Sequence, residues 1–436
     1  MRTAPLFLTA VLTLQAACAL HAQNDIKESE VKRIISTLAS DEMRGRKTFT
    51  PDIQRASAFI EQEFARAGLQ PLPGAKNFRQ EFAIYKVAPA TIQLQVNGIP
   101  ENAPQVLLRS SATHLGWTSA DSRVAIESIG PGDVFMDSAR KYLKATRNTL
   151  VWVDAKHAAA FKQLGGYFNN SARETLDSSK SIVFVLKRPA DSTISSWDLR
   201  VEQTIEPSPL NNVVGILPGK SKKGEYVVFS GHYDHLGILP PNEAKDSIAN
   251  GADDDASGTT AVIMLAKHFH DLHNNARTLI FVAFTAEEIG GYGSHYFSRQ
   301  LNADSVVAMF NIEMIGKEAR FGVNSAFITG FERSDFGPIL QKNLKGSVFK
   351  FYPDPYPEQN LFYRSDNATL ARLGVPAHTI STDQIDSDKL YHTVGDEVKS
   401  LDITNITNTI KAIALSATSI VTGKDTPARI DKSKVE

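Results

Sequence analysis

The chain has 436 residues, more than one ordinary domain and enough for two or three. It carries 47 Lys and Arg against 48 Asp and Glu, so it lacks the basic footprint of a nucleic-acid binder and the polybasic balance of a protein held on an anionic membrane. The 42% hydrophobic and 22% charged content is that of an ordinary globular protein.

Residues 1–22 read as an export signal. Arg2 gives a short positive start, Pro5 to Leu20 is apolar, and Leu20-His21-Ala22 offers a cleavage position after Ala22. The apolar run is shorter than the roughly 20 residues a membrane span needs, and no later stretch qualifies. The expectation is therefore an exported protein, periplasmic or secreted. The single cysteine, Cys18, lies inside this segment, so the mature chain has no thiol for disulfides or metal binding. A lipid-anchored alternative would modify Cys18, but Gln15 stands where such motifs usually carry Leu.

Two helices come next. Ile26, Val31, Ile34, Ile35 and Leu38 repeat with helical period across Asp25–Ser40. Thr50-Pro51 looks like a cap with proline in the first turn, and Gly68 like the stop of a helix through Ile53, Ala56, Ile60 and Phe64. Each helix has one apolar face, so residues 23–87 are assigned to the catalytic domain as its helical lead-in.

The character changes over 88–207. Thr91–Val96 alternates and ends in Asn97-Gly98, a turn signal. Strands are predicted over Asp121–Val134, Thr149–Val153, Ser181–Leu186 and Leu199–Glu206, with helices over Ser138–Leu143 and Ala158–Leu164. No His, Asp and Glu cluster with ligand spacing occurs here. This reads as a β-rich inserted domain; the alternative makes it part of the main sheet.

From 208 to 422 strands and helices alternate. Strands are predicted at Val213–Leu217, Tyr226–Ser230, Leu279–Phe284, Val306–Ile312, Ser325–Thr329 and Ala377–Ile380. Helices are predicted near Ser257–Leu272, Ser294–Gln300, Ser334–Leu344 and Ile403–Ile420. The fold class that follows is α/β: a mixed, mostly parallel central sheet with helices on both faces, plus the insert. Residues 423–436 read as a polar, frayed tail.

The chemistry sits at strand ends. Tyr226–Ser230 runs into His232, Tyr233 and Asp234, and Asp253–Asp255 opens onto a helix. Glu287-Glu288 follows an apolar strand directly; adjacent residues leaving a strand point to different sides, so one can ligate and the other act as a base. Glu313 is a carboxylate in an apolar run, costly to bury unless paired or metal-bound. With His392, the set His232, Asp254, Glu288, Glu313 and His392 offers two imidazoles and three carboxylates, which suits two zinc-like ions better than calcium or magnesium. His268, His270 and His273 read as surface residues of a helix.

The ordered motifs SGHYDHLG, NGADDDASG, FVAFTAEEIGGYGS, NIEMIG, RSDNATLARLGVP and YHTVGDE, spread over most of Asn211–Thr422, resemble the co-catalytic di-zinc aminopeptidase family, which includes bacterial secreted leucyl-type aminopeptidases and the peptidase domain of glutamate carboxypeptidase. The resemblance implies a zinc-exopeptidase-like fold and two Zn2+ per chain. It implies that His232 binds one zinc, that Asp234 orients His232, and that Asp254 bridges, with a cis peptide between Asp254 and Asp255. Glu288 and His392 would bind the second zinc, Glu287 would be the general base, and Tyr391 would stabilise the oxyanion. Arg364 would lie near the substrate and Asp366 would support the site from outside. Where the family usually has Asp, this chain has Glu313, whose extra methylene moves the carboxylate by about a bond length. The insert resembles, in position and β-rich character, the protease-associated or apical domains of some relatives. The activity implied is hydrolysis of N-terminal residues from peptides. Alternatives are a carboxypeptidase of the same fold, with Arg364 or Arg320 receiving the substrate carboxylate, a glutaminyl-cyclase-like enzyme with one zinc, and a non-enzymatic member that has lost ligands.

Overall fold

The computed structural model describes residues 26–87, 91–170, 172–177, 179–187 and 193–435. The expected export signal and Cys18 lie outside these residues. The chain forms two units, one from residues 1–82 and 210–436 and one from Ala83–Pro209.

The first unit is built on an eight-stranded sheet of β1 (Arg79–Val87), β2 (Ile205–Leu217), β3 (Lys222–His232), β4 (Arg277–Phe284), β5 (Val306–Ile312), β6 (Ser325–Ile328), β7 (Lys350–Pro353) and β8 (Ala377–Ser381). Their order in the sheet is β1-β2-β4-β3-β5-β8-β6-β7. The central run β4-β3-β5-β8 is parallel, as is β6-β7, while β2-β4 and β6-β8 are antiparallel. All eight residues of β4 are buried, the signature of a strand covered on both faces.

The period-2 pleat sorts side chains into two cores. Val227, Phe229, Leu279, Phe281 and Phe310 join one; Val228, Ile280, Val282, Phe284 and Met309 join the other. The first core is closed by the helices Glu28–Leu38, Pro51–Arg66, Gly258–Leu272, Phe336–Asn343 and Ile403–Ser416, the second by Tyr292–Gln300 and Asn367–Ala371. At the centre Phe229 stacks on Phe281 (5.4 Å between ring centroids) and Phe310 (4.8 Å). Truncating such a residue to Ala costs about 3–5 kcal/mol. The lead-in helix buries Val31, Ile34, Ile35 and Leu38, the stripe its spacing predicts.

Two expectations are corrected in this unit. The C-terminal segment is packed rather than frayed: Ile430 is buried in the second core, and Arg277 donates to Asp425 O and Thr426 Oγ1. A polar composition misleads there because the anchoring bonds are long-range: the Arg429 side chain donates to the carbonyls of Ala303, Val306 and Leu373, and the Ala428 N–H to Asp335 Oδ1. His268 is buried, with its ring edge-on to Phe269 at 5.1 Å, because Gly258–Leu272 is covered nearly all round. His270 is half-buried and His273 exposed.

The second unit holds two four-stranded sheets. One orders Ile99–Pro100, Thr91–Val96, Trp197–Glu202 and His114–Thr118; the other orders Val106–Ser110, Ser181–Leu186, Thr149–Val153 and Ala125–Ile129. Helices Phe135–Leu143 and Ala158–Asn170 accompany them. The strand predicted over Asp121–Val134 is confined to Ala125–Ile129: Asp121 Oδ1 accepts from the Arg123 N–H in a tight turn, and Gly130-Pro131 ends the run.

Candidate metal centre

The carboxyl ends of β3, β4 and β5 and the loop after β8 converge. β3 ends in His232; β4 is followed by Glu287 and Glu288, β5 by Glu313, and the loop after β8 carries His392. Ligands gather at such ends because parallel strands deliver all their following loops to one edge of the sheet.

The distances define a paired cluster. His232 Nε2 lies 3.0 Å from Asp254 Oδ1 and 3.1 Å from Glu313 Oε1. Asp254 Oδ2 lies 3.2 Å from His392 Nε2, which is also 3.2 Å from Glu288 Oε2. One carboxylate thus faces both groups with one oxygen each. Glu313 reaches His232 as closely as Asp254 does despite its extra methylene, and its other oxygen accepts a 2.7 Å bond from Ser365 Oγ.

His235, which pattern reading did not select, belongs to the same cluster. It is buried, and its Nδ1 lies 2.6 Å from Glu288 Oε1 and 3.7 Å from Asp254 Oδ2. Ligand-capable atoms of His235, Asp254 and Glu288 all fall within 4.8 Å of one another, as do those of His232, Asp255 and Glu313. The signal available was the second imidazole of HYDHLG, three residues beyond the first.

Neighbouring carboxylates hold this arrangement. Asp255 accepts from the backbone N–H groups of His232 (3.0 Å), Gly258 (2.9 Å) and Met314 (3.2 Å), fastening three ligand-bearing segments to one side chain. That satisfies both its oxygens and makes it a scaffold. Asp396 accepts from the N–H groups of Asp253 and Asp254. The Asp254–Asp255 peptide is cis, as the resemblance implies. A Cβ at Gly258 would lie 2.1 Å from Ile312 O, so only glycine lets the helix start this close to the end of β5. Beneath them Arg46, fully buried, donates to the carbonyls of Leu38, Tyr233, Asn250 and Gly251 at 2.6–2.9 Å.

Three non-glycine residues beside the ligands have positive φ: Ala286 (60°), Met314 (48°) and His392 (59°). The left-handed region is unfavourable for L-residues, and such strain gathers where a site dictates direction.

Asp234 is fully buried. Its carbonyl lies 3.1 Å and its Oδ1 3.7 Å from His232 Nδ1, and Oδ1 accepts the Glu287 N–H at 3.1 Å. The residue therefore touches both the first imidazole and the Glu287 backbone. Glu287 is half-buried beside the cluster, and burial raises its carboxyl well above the usual range. Tyr391 stacks on His392 at 3.8 Å, and burial raises its phenol. Arg364 is exposed and bonded to Gln359 at 3.3 Å, on the wall of a cavity that also contains Asp254, Glu287, Glu313 and His392. Met314, Phe327, Leu361 and Ile385 give that cavity apolar walls. Asp366 is buried and lines a second, more open cavity beside Glu287, with His295, Arg299, Arg364 and Arg372; burial lifts its carboxyl to about 7. Arg320 is not among the residues lining either cavity and lies over the Tyr356 ring at 5.8 Å.

The electrostatics favour a cation. Burial opposes the charged form of His232, yet Glu313, Asp234 and Asp254 overcome it and raise the imidazole well above its usual range. Hydrogen bonds to Asp254 and Glu288 raise His392 to about 10. Burial pushes Asp254 up, but His235, His232 and His392 win and hold it well below the ordinary value. A field that draws protons onto imidazoles this strongly also draws a divalent ion, and imidazole–carboxylate donors in this ratio suit a borderline metal.

A third acidic group, Asp253, Asp383 and Asp388, adjoins the centre. Here the Lys317 ammonium lies 3.2 Å from Asp253 Oδ2 and 2.6 Å from Asp388 Oδ2.

Known proteins resemble this part of the chain. Residues 212–417 match the model of Peptidase family M28. The match covers a little under half of the chain. Leucine aminopeptidase 1 of Ajellomyces capsulatus (strain H88) is 29% identical over 218 residues, 48% of this chain and 55% of that protein. Leucine aminopeptidase 1 of Penicillium rubens is 29% identical over 227 residues, 48% and 56%. The chain spans about half the length of the curated relatives it matches. Among solved structures, an aminopeptidase from Aneurinibacillus sp. strain AM-1 superposes with TM-score 0.55 at 17% identity, covering 96% of this chain and 98% of that one. The zinc aminopeptidase BSAP from Bacillus subtilis gives 0.53 at 13%, covering 94% and 99%. These likenesses establish the zinc-exopeptidase-like fold. All the ligand-capable residues described above fall inside the M28 segment.

Proposed function

We propose that this chain is an exported zinc-dependent aminopeptidase that works with two metal ions. The observation that carries the proposal is the Asp254 carboxylate, with Oδ1 3.0 Å from His232 and Oδ2 3.2 Å from His392. A carboxylate shared between two imidazole-bearing groups is what a pair of ions requires. His232, Asp254 and Glu313 would hold one ion; Asp254, Glu288 and His392 would hold the other, with His235 against Glu288 and Asp254. Bound there, zinc supplies Lewis acidity and acidifies water at neutral pH.

The remaining chemistry belongs to the chain. Glu287, its carboxyl raised by burial and its backbone fixed by Asp234, takes the proton of the attacking water and delivers it to the departing amine. Asp234 keeps the His232 ring in orientation. Tyr391 donates its O–H to the developing oxyanion. Arg364 contacts the substrate from the cavity wall. The apolar walls of that cavity take the side chain of the N-terminal residue. Among the described residues no helix is long and apolar enough to cross a membrane.

A carboxypeptidase reading draws on the second cavity beside Glu287, with Arg299, Arg364 and Arg372 on its wall. The deciding experiment counts metal in the purified protein and compares aminoacyl-anilides with N-blocked dipeptides. Two zinc ions per chain and anilide cleavage are expected. One zinc with pyroglutamate formation, or cleavage of blocked dipeptides alone, overturns the proposal.

A further inference from the structure

The β-rich unit carries a cavity of its own, of about 160 Å³, lined by Arg109, Arg173, Lys180, Ser111, Thr175 and Asp177 among others. Its charges do not balance. Arg173 is only 7% exposed, and among the described residues no acceptor is hydrogen-bonded to its guanidinium; its backbone alone is engaged, in a two-way bridge with Tyr85. Arg109, half-buried on the strand Val106–Ser110, likewise has no carboxylate partner among the described residues. Asp177, the acid on this wall, is occupied by the Ser179 N–H and Oγ.

Burying a guanidinium away from water is costly without a counter-charge, and a second guanidinium nearby raises the cost. Burial first, and then the like charge of Arg109, lower Arg173 to about 10. A structural arginine avoids this. Arg46 satisfies its donors with four carbonyls, and Arg277 pairs with Glu225 and with carbonyls of the C-terminal segment. Arg173 is nearly as buried as these residues, 7% exposed against 0%, but lacks their partners, and it lines the cavity together with Arg109 and Lys180.

We propose that the cavity between Arg109, Arg173 and Lys180 binds a small multivalent oxyanion of the phosphate or sulfate type. Two planar forks and one ammonium offer the charge and the divergent N–H directions that a tetrahedral oxyanion accepts, and the Ser111 and Thr175 hydroxyls lie on the same wall. The assignment is independent of the peptidase reading, since every residue involved lies within 109–180.

The test is calorimetric titration of the full chain with sodium sulfate, at constant ionic strength, with sodium chloride as the blank. Saturable binding is expected in the native protein. It should weaken at least about tenfold in Arg173→Met, as expected for loss of one charge-assisted fork, and also in Arg109→Met. Arg364→Met, which alters the cavity beside Glu287, should leave this binding unchanged and so separates it from anion binding at the metal centre. Absence of saturable binding, or native affinity in a folded Arg173→Met protein, overturns the proposal. Should Arg173→Met fail to fold, native affinity in Arg109→Met overturns it equally.

Discussion

Asp253 and Asp254 are neighbours in sequence, fully buried side by side, and they serve two carboxylate clusters that are neutralised by opposite means. Around Asp254 the counter-groups are imidazoles, which can exchange protons for a metal ion. Around Asp253 the counter-group is Lys317, 3.2 Å from Asp253 Oδ2 and 2.6 Å from Asp388 Oδ2, while Gly316 N–H and Ser257 Oγ donate to Asp253 Oδ1. A lysine can supply charge but cannot be a ligand while protonated, and its partners raise it further above its ordinary value. Acid clustering alone therefore does not identify a metal site. The identity of the resident base separates a centre that can be loaded from one that is already closed.

The sharpest way to break this contrast is Glu287→Gln. The substitution removes the proton carrier and leaves every imidazole–carboxylate pair in place. Turnover of an aminoacyl-anilide should fall by about 10²–10⁴-fold with the metal content unchanged. A variant with native rate assigns the base elsewhere; one that loses metal makes Glu287 part of the coordination.

Arg46→Met tests the support beneath the centre. Four buried carbonyls lose their donor at once, and each unsatisfied group costs about 1–3 kcal/mol, so a loss of about 4 kcal/mol or more in unfolding stability is expected. Denaturant unfolding of the metal-free protein measures it. A loss below about 1 kcal/mol would mean that water replaces the guanidinium.

Lys317→Met addresses the closed cluster. Removing one partner of a largely buried ion pair costs about 3 kcal/mol, because Asp253 and Asp388 are left facing each other. The variant should melt lower at neutral pH and recover part of that loss on mild acidification, when a carboxyl can protonate. A variant as stable as the native chain would mean that Lys317 is not what neutralises Asp253.

Much of this was legible from residue order because the sheet converts local patterns into a shared edge. Runs such as Leu279–Phe284 identify covered strands, and polar residues directly after them are ligands by position. What escaped is what partners at long range. Arg46 finds carbonyls 187 to 205 residues away, and no property of MRGR encodes that. His235 was hidden because an imidazole next to Asp234 has the same pattern whether it faces solvent or Glu288. Ser365 meets Glu313 across 52 residues and shows how the longer acid is held. In the insert Val106–Ser110 shows no alternation, and His114–Thr118 alternates over only five residues around a central Gly116, too short a run to mark a strand without its pairing to Trp197–Glu202.

The same contrast between environments governs a buried imidazole away from the centre. His378 is fully buried on β8, stacked on Phe336 at 4.9 Å, with no carboxylate bonded to it among the described residues. Its Nδ1–H donates to Thr329 O at 2.8 Å, which leaves Nε2 to accept from the Ser334 hydroxyl at 2.8 Å; the neutral ring satisfies both bonds. Burial accordingly lowers it to about 4, the reverse of His392 at about 10. The unfolded chain takes up this proton near pH 6.5, and the folded chain only near 4. Between those values the unfolded state holds more protons, so stability is full above pH 6.5 and declines as pH falls toward 4. From pH 7 to pH 5 the linkage amounts to about 2 kcal/mol. His378→Gln should remove that dependence whatever it does to stability at pH 7. The check is the difference between native and variant unfolding free energies at the two pH values, both metal-free so that release of ions from His232 and His392 does not contribute. An unchanged difference would mean that the ring is already charged in the fold, and that the carboxylate-rich edge reaches farther into the sheet than its hydrogen bonds indicate.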